Sequence, residues 1–286
     1  MMAAVAEVIA VAAQAEAPHA LPLLRPDWPA PAWVGAAVTV RDGGVSAPPF
    51  ASLNLATHVG DNPAVVAENR GRLRAALALP AEPLWLSQQH GTHVVDADQL
   101  DATRFQVTRS TGGEPPPQGD AAITRQSGRV LAVLVADCLP VLLARYDGSA
   151  VAIAHAGWRG LAAGVLEASV AALGGPAPQL HAWLGPVIGP EHFEVADEVR
   201  DAFCQRERPG RPAHPKAHSA RAFERNARGR WQCDLYALAR ARLAALGVQS
   251  VHGERRCSYA LTKSFYSYRR DGVTGRMAAL IWLKAR

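Results

Sequence analysis

Short apolar runs and polar breaks alternate along the chain, and the runs have the length and composition of buried strands. Each run is dominated by valine, leucine, isoleucine and alanine, and turn residues stand near its ends. The predicted strands are Trp33–Val40, Leu84–Leu86, Val130–Val135, Val141–Ala144, Val151–Ala154, His181–Leu184 and Gly275–Leu283. The apolar content of the last run predicts that this strand is buried.

Three longer segments predict helices. Ala64–Leu77 follows Asp61-Asn62-Pro63, which supply a capping side chain and a first-turn proline. Leu235–Leu246 is the clearest amphipathic segment, and Gly247 suits the left-handed position that ends a helix. The third predicted helix is Leu161–Leu173.

Two of the strands are predicted to form a hairpin that carries a cysteine and a histidine. Cys138 precedes one strand, His155 follows the other, and the turn residues Tyr146-Asp147-Gly148-Ser149 lie between them. Because Cys138 and His155 are 17 positions apart, a strand, a turn and a returning strand bring them side by side, whereas one helix face could not. A thiolate beside an imidazole is either a metal site or a nucleophile with its base.

Composition indicates a globular protein of the reducing cytoplasm. The chain has 286 residues, of which 49% are hydrophobic and 19% charged, and it has no apolar run of about 18 residues that could span a bilayer. Its four cysteines form no Cys-X-X-Cys pair, which argues against a disulfide framework. No long heptad pattern or exposed apolar stripe predicts an obligate assembly, so we expect a monomer with no membrane partner.

The basic charge is concentrated rather than spread over one face. The net charge is +5, and much of the excess comes from arginines between Arg200 and Arg230 and near the C-terminus. This pattern favours a solvated basic loop and a small anionic ligand over a nucleic-acid groove, so we expect no nucleic-acid partner. We predict a partly disordered N-terminal extension over residues 1–32, a single catalytic domain over 33–286, and an exposed insertion near 206–230.

A third candidate ligand joins the cysteine and histidine of the hairpin. His90, like Cys138 and His155, falls near a predicted strand end beside small or turn residues. Two imidazoles and one thiolate leave a fourth position open, which is the pattern of catalytic zinc, although copper accepts the same donors. Each residue taken alone also has an ordinary structural explanation, as a small core cysteine or a hydrogen-bonded turn histidine.

Several motifs resemble those of one known family, and the resemblance runs from about Trp33 to the C-terminus. The matching strings are Ser52-Leu53-Asn54-Leu55, His58-Val59-Gly60-Asp61, Asn69-Arg70, Gln89-His90-Gly91, Gly119-Asp120-Ala121, Ala136-Asp137-Cys138-Leu139-Pro140, His155-Ala156-Gly157-Trp158-Arg159-Gly160, Leu184-Gly185-Pro186, Ile188-Gly189-Pro190 and Phe265-Tyr266-Ser267-Tyr268-Arg269-Arg270-Asp271. The chain resembles the purine nucleoside phosphorylase family, long described as polyphenol oxidase or laccase-domain proteins and also as peptidoglycan editing factors.

The resemblance implies a fold, a metal site and an activity. The fold would be a compact α/β sandwich of mixed β-sheets flanked by helices. The metal would be zinc, held by His90, Cys138 and His155. The reaction would be phosphorolysis of adenosine, inosine and 5′-methylthioadenosine to the free base and a ribose 1-phosphate, with adenosine deamination as a second activity.

Phosphorolysis requires cationic groups that bind phosphate and a proton donor or electrostatic partner for the leaving purine. Arg70, Arg159 and Arg269 are the candidates for binding phosphate, and Asn54 is a further candidate for binding substrate. With the three metal ligands we count Asp137 as catalytic, because it or Asp120 could orient a water molecule or shuttle a proton, although a turn-capping role explains Asp120 more simply.

Three other functions remain open at this stage. The first is a cysteine hydrolase in which Cys138 is the nucleophile and His155 its base, acting on a peptidoglycan-related amide. The second is copper-dependent oxidation of phenols, which the ligand count does not favour, since the chain has 10 histidines and none in a His-X-His pair. The third is a non-catalytic module that binds through the loop Arg206–Arg230.

Overall fold

The computed structural model describes residues 21–101, 115–204, 219–253 and 255–285. The strands in these ranges are β1 (Leu23–Leu24), β2 (Val34–Thr39), β3 (Val94–Asp96), β4 (Ala121–Thr124), β5 (Val130–Val135), β6 (Leu139–Arg145), β7 (Val151–Ala156), β8 (Leu180–Leu184), β9 (Glu194–Val195), β10 (Phe223–Arg225), β11 (Trp231–Cys233), β12 (Ser250–His252) and β13 (Met277–Leu283). The α-helices are α1 (Pro63–Leu77), α2 (Trp158–Ala163), α3 (Val165–Leu173), α4 (Asp197–Cys204), α5 (Leu235–Ala245) and α6 (Tyr268–Asp271).

Two large sheets and one small sheet organise the described residues. One sheet has the strand order β1-β2-β13-β5, and the other has the order β12-β8-β6-β7-β4-β3. The larger sheet is mixed, since β12 runs parallel to β8 and β3 runs parallel to β4 while the other neighbours are antiparallel. The small antiparallel sheet has the order β10-β11-β9.

Both large sheets are buried on both faces, which explains the continuous apolar runs. In β5, Leu131 and Val133 pack into the layer between the two sheets, whereas Ala132 and Leu134 pack on the outer side. Successive side chains of a strand point to opposite faces, so one strand serves two cores.

Helices cover the outer faces. Helix α1 packs through Leu73 and Leu77 on the outer side of the four-stranded sheet. Helices α3 and α5 contribute Val170 and Leu238 to the core on the outer side of the six-stranded sheet. The result is a layered α/β sandwich flanked by helices, as predicted, in which the six-stranded sheet is mixed and the four-stranded sheet is antiparallel throughout.

The predicted hairpin is present and sets the position of the cysteine and the histidine. Strands β6 and β7 pair antiparallel, with Pro140 opposite His155 and Leu139 opposite Ala156. Cys138 directly precedes β6, so the hairpin brings it to the end of β7 that carries His155.

Two predicted elements need correction. The helix predicted over Leu161–Leu173 is two helices, because Gly164 adopts a left-handed φ of 107° between α2 and α3. The strand predicted at Leu84–Leu86 is reduced to an isolated bridge between Leu84 and Leu131. A short segment forms a strand only where a neighbouring strand pairs with it along its length. Here β5 pairs with this segment at Leu84 alone.

The predicted domain limits fall only in part on the described residues. Residues 21–32 belong to the described fold, since β1 pairs with β2 and Trp28 packs on the core between the sheets. Within the predicted insertion 206–230, Phe223–Arg225 is a strand, and Ala222 and Phe223 are buried. Residues 1–20 and 205–218, which include the rest of both predictions, lie outside the described residues.

Among the described residues, no helix has both the length and the apolar character needed to cross a membrane.

Candidate metal centre

The three predicted ligands converge at one end of the layer between the two sheets. Val151 and Ile153 of β7 face that layer, and by the alternation of a strand His155 lies on the same face. The ligand atoms of His90, Cys138 and His155 all lie within 4.8 Å of one another, and this is the one group of such donors found among the described residues. His155 is buried, whereas Cys138 is half-buried and His90 exposed.

His90 reaches the site from a loop with an unusual backbone conformation. Its φ is +57°, a left-handed conformation that a residue other than glycine rarely adopts. This turn brings His90 Nε2 to 3.8 Å from Cys138 Sγ, and the rings of His90 and His155 meet edge to face with centroids 4.8 Å apart.

The carboxylate of Asp120 holds both histidines in place. It accepts hydrogen bonds from the backbone N–H groups of Gln89, His90 and Gly91 at 2.7–3.0 Å. It also lies 2.9 Å from Nδ1 of His155, which leaves Nε2 of that ring for a metal. Asp120 is 1% exposed and cannot be hydrated by bulk water, so these hydrogen bonds satisfy its oxygen atoms instead.

The charges of the site form a coupled set. Burial acts to raise the pKa of Cys138, but the neighbouring imidazoles of His155 and His90 outweigh it and lower the pKa to about 6. Burial acts to lower the pKa of His155, but the Cys138 thiolate and the Asp120 carboxylate outweigh it and raise the pKa to about 9. Without a metal the pair is therefore thiolate and imidazolium, and a bound cation would replace the imidazolium proton.

Two glycines of the His-Ala-Gly-Trp-Arg-Gly string allow the close packing of this site. A Cβ atom on Gly157 would lie 2.8 Å from Cys138 Sγ and 3.0 Å from Cδ2 of His90. A Cβ atom on Gly160 would lie 2.8 Å from the carbonyl oxygen of Gly91. The start of α2 therefore packs directly against the ligand loop.

The donor set fits a borderline divalent metal such as zinc. In a tetrahedral site with metal–sulfur and metal–nitrogen distances of about 2.3 and 2.0–2.1 Å, donors lie about 3.3–3.6 Å apart. Small side-chain rotations would bring the three donors from their present separations of up to 4.8 Å to those values. With three protein ligands, one position remains for water or substrate.

Asp137 anchors the chain beside the site. Its φ is +89°, and its carboxylate accepts hydrogen bonds from Ser258 Oγ at 2.6 Å and from the backbone N–H of Arg269 at 2.7 Å. Both oxygens are thus bonded to C-terminal segments of the chain. The structure gives Asp137 a positioning role next to Cys138, and its predicted catalytic role stays a prediction.

Two of the predicted substrate-binding residues face the protein interior. Asn54 is buried and hydrogen-bonds to Ala56, Asp61 and the N–H of Arg276. Arg70 donates to the carbonyl of Leu55 and stacks on a tryptophan ring, and burial lowers its pKa to about 10. The Asn54 amide and the Nε and Nη2 groups of Arg70 are thus bonded within the chain.

The other two predicted phosphate ligands are exposed. Arg159 lies over the ring of Trp158 at 4.4 Å. Arg269 donates through Nη1 to the carbonyl of Glu194 and lies over the ring of Phe193. Arg269 is linked to the donor group through the hydrogen bond of its backbone N–H to Asp137. Arg159 is near the donor group only because α2 begins next to it.

Sequence reasoning missed one cation close to the metal ligands. Burial lowers the pKa of Arg276, and Cys138 and Asp137 act in the opposite direction, which places its guanidinium in their field. Desolvation lowers the pKa of His58, and Arg276 and Arg70 lower it further. Arg276 is therefore the cation that senses the charges of Cys138 and Asp137, and His58, which lies near Arg276 and Arg70, is kept as a neutral imidazole near pH 7. The available signal was the position of Arg276 at the start of the predicted strand Gly275–Leu283, and in the structure it directly precedes β13.

Comparison with known proteins finds one family model and several relatives that match nearly the full length of this chain. The family model described as multi-copper polyphenol oxidoreductase laccase matches residues 35–284. The chain is 49% identical over 261 residues to a Pseudomonas aeruginosa protein named purine nucleoside phosphorylase PA4543, a match that covers 91% of this chain and 98% of that protein. It is 46% identical over 263 residues to Escherichia coli purine nucleoside phosphorylase YfiH, again covering 91% and 98%.

Solved structures share the fold over almost the whole chain. The structure of Neisseria meningitidis protein NMB0706 has a TM-score of 0.81 at 45% identity and covers 92% of this chain and 99% of its own. The structure of YlmD from Geobacillus stearothermophilus has a TM-score of 0.73 at 30% identity and covers 89% and 93%.

We expect Gly157→Ala to weaken metal binding while the fold is retained. The added Cβ must displace Cys138 Sγ or the ring of His90, and such overpacking costs about 1–3 kcal/mol, or about tenfold or more in affinity. Zinc affinity measured by chelator competition checks this. Gly71→Ala is the matched control, since a Cβ there meets nothing within 4 Å. Equal affinity in the two variants would contradict the prediction.

We expect Asp120→Asn to lower metal affinity about 10–100-fold, the usual effect of removing a carboxylate behind a histidine ligand. An amide keeps the volume but cannot accept every N–H bond that the carboxylate accepts, so the His90 loop and the His155 ring both lose support. Metal content after dialysis against a chelator measures the effect. Asp201→Asn on α4 is the control, and the prediction fails if both variants retain metal equally.

Proposed function

The chain belongs to the family of the multi-copper polyphenol oxidoreductase laccase model, and on that premise we propose that it is a zinc-dependent purine nucleoside phosphorylase. The names of relatives at 46–49% identity support this activity. The observation that carries it furthest is the His-Cys-His donor group, with the guanidinium of Arg276 in the electrostatic field of Cys138 and Asp137.

His90, Cys138 and His155 would hold the zinc, and zinc in such a three-ligand site supplies Lewis-acid polarisation of a bound oxygen. The low pKa of Cys138 keeps the thiolate available as a ligand near neutral pH. Asp120 fixes His155 through Nδ1, so the ring presents Nε2 without a search over rotamers. Copper accepts the same donors and is the alternative metal, but the described residues contain one such donor group.

Arg276 would bind the phosphate. Phosphorolysis brings a phosphate dianion against a ribose that gains positive charge, so the site must hold the phosphate without repelling the sugar. The guanidinium of Arg276 supplies charge, and desolvation strengthens its attraction for an anion. Arg70 adds to this positive field while its own donors are bonded to Leu55.

Adenosine, inosine and 5′-methylthioadenosine are the proposed substrates, and adenosine deamination is the proposed second reaction at the same centre. An open position beside two histidines and a cysteine resembles the sites at which deaminases place a water molecule. All the residues named belong to one chain, so a monomer suffices. We place the activity in the cytoplasm, where a thiol ligand stays reduced.

A cysteine hydrolase is the second candidate, and a specific observation favours it. The lowered pKa of Cys138 and the raised pKa of His155 describe a thiolate and imidazolium pair, which is also the arrangement of a cysteine nucleophile. A free thiolate reacts quickly with iodoacetamide, whereas a metal-bound Cys138 is protected until the metal is removed.

We expect the purified protein to release free base from adenosine or inosine only when phosphate is present. Chromatography of the base, with and without phosphate, measures this, and zinc analysis of the same sample tests the metal. Cys138→Ala is expected to lose its zinc, because one of the three ligands is removed. Its rate of base release is expected to fall at least about 100-fold.

Cys204→Ala is the matched control, since Cys204 is half-buried on α4 and outside the donor group. Deamination is read separately as inosine formed from adenosine without phosphate. Absence of both metal and base release in the wild type would reject the proposal and favour the hydrolase.

We expect Arg276→Gln to raise KM for phosphate about tenfold, because one positive charge beside the site is lost, while KM for the nucleoside changes less. Steady-state kinetics at varied phosphate measure this. Arg72→Gln is the control, since Arg72 is exposed on α1 and paired with Glu68. An unchanged phosphate KM in Arg276→Gln would remove Arg276 from the phosphate site.

A further inference from the structure

A second cysteine–histidine pair lies outside the metal centre. Cys257 Sγ is 3.6 Å from Nδ1 of His192. The same sulfur accepts hydrogen bonds from the backbone N–H of Gly189 at 3.1 Å and of Ala260 at 3.4 Å. Backbone donors from two separate loops and one imidazole nitrogen thus surround a single sulfur atom.

The imidazole of this pair is held in position. The ring of His192 stacks on Tyr259 with centroids 4.5 Å apart and planes 24° from parallel. A nucleophile, a base within reach and a third group that orients the base form the arrangement that activates a cysteine.

The other cysteines differ from Cys257 in ways that matter for reactivity. Cys233 is fully buried, and burial raises its pKa. Cys204 is half-buried like Cys257, but burial raises its pKa and it sits at the end of α4. Cys138 belongs to the metal ligands. Cys257 is therefore the half-buried thiol that combines a base, backbone donors and no role in the metal centre.

We propose that Cys257 is a modification site that reacts with hydroperoxides to form a sulfenic acid. His192 accepts the thiol proton, and the Cys257 sulfur attacks one peroxide oxygen. A sulfur–oxygen bond forms, the oxygen–oxygen bond breaks, and the proton passes to the leaving oxygen. The thiol is oxidised to a sulfenic acid, and hydrogen peroxide is reduced to water.

The position of this cysteine links it to the metal centre. The next residue, Ser258, donates its hydroxyl to Asp137, which directly precedes Cys138. The backbone N–H of Ser258 also bonds to the carbonyl of Val187. Cys257 is thus one residue from the hydroxyl that holds Asp137, so the modification occurs close to the residues that position the metal ligand.

The test treats the zinc-loaded full chain with hydrogen peroxide and traps sulfenic acid with dimedone. Peptide mass spectrometry then gives the rate at each cysteine separately, so Cys138 is counted on its own. We expect Cys257 to be labelled at least about tenfold faster than Cys204, which is equally half-buried but lacks a paired histidine.

A variant pair tests the role of the base. His192→Ala is expected to slow labelling of Cys257 at least about fivefold and to leave Cys204 unchanged. His252→Ala, which removes a half-buried histidine from β12, is the control and should leave both rates unchanged. The comparison of cysteines within the wild type needs no variant to fold. Labelling of Cys257 within twofold of Cys204, or no effect of His192→Ala, would overturn the proposal.

Discussion

The buried carboxylate of Asp120 is the constraint on which the metal centre depends. It accepts the N–H groups of three successive residues in the His90 loop and faces Nδ1 of His155. An ionised carboxylate that is 1% exposed is tolerable only when its oxygens are hydrogen-bonded. The same bonds that satisfy Asp120 therefore determine where both histidines stand.

The register of the strand pairing fixes the position of Asp120 relative to His155. The backbone N–H of His155 donates to the carbonyl of Asp120, and the N–H of Asp120 donates to the carbonyl of His93. Strands β4 and β7 thus hold the carboxylate and one ligand in fixed register, while the β6–β7 hairpin adds Cys138. A shift of one residue in either pairing would turn a ligand to the opposite face.

Burial on both faces explains why the chemistry lies at one end of the sandwich. The cores that cover both faces of the two large sheets consist mainly of apolar side chains. A polar group buried in them would lose its water and would need a hydrogen-bond partner inside the core. At the strand ends, loops supply backbone donors and open space. The metal ligands, Asp137 and the Cys257 pair all lie in or next to such loops, and the Ser258 to Asp137 bond connects them.

The sequence by itself determined what depends on local contacts. The hairpin followed from two apolar runs and a turn, and the start of α1 at Asn62 and Pro63 followed from capping chemistry. The tertiary structure alone decided that Asn54 and Arg70 turn inward, that Arg276 stands beside Cys138, and that Asp120 supports two ligands. Some of these residues are far apart along the chain, with 35 positions between Asp120 and His155 and 222 between Asn54 and Arg276. A pattern read along the chain contains the residues but not the register that brings them together.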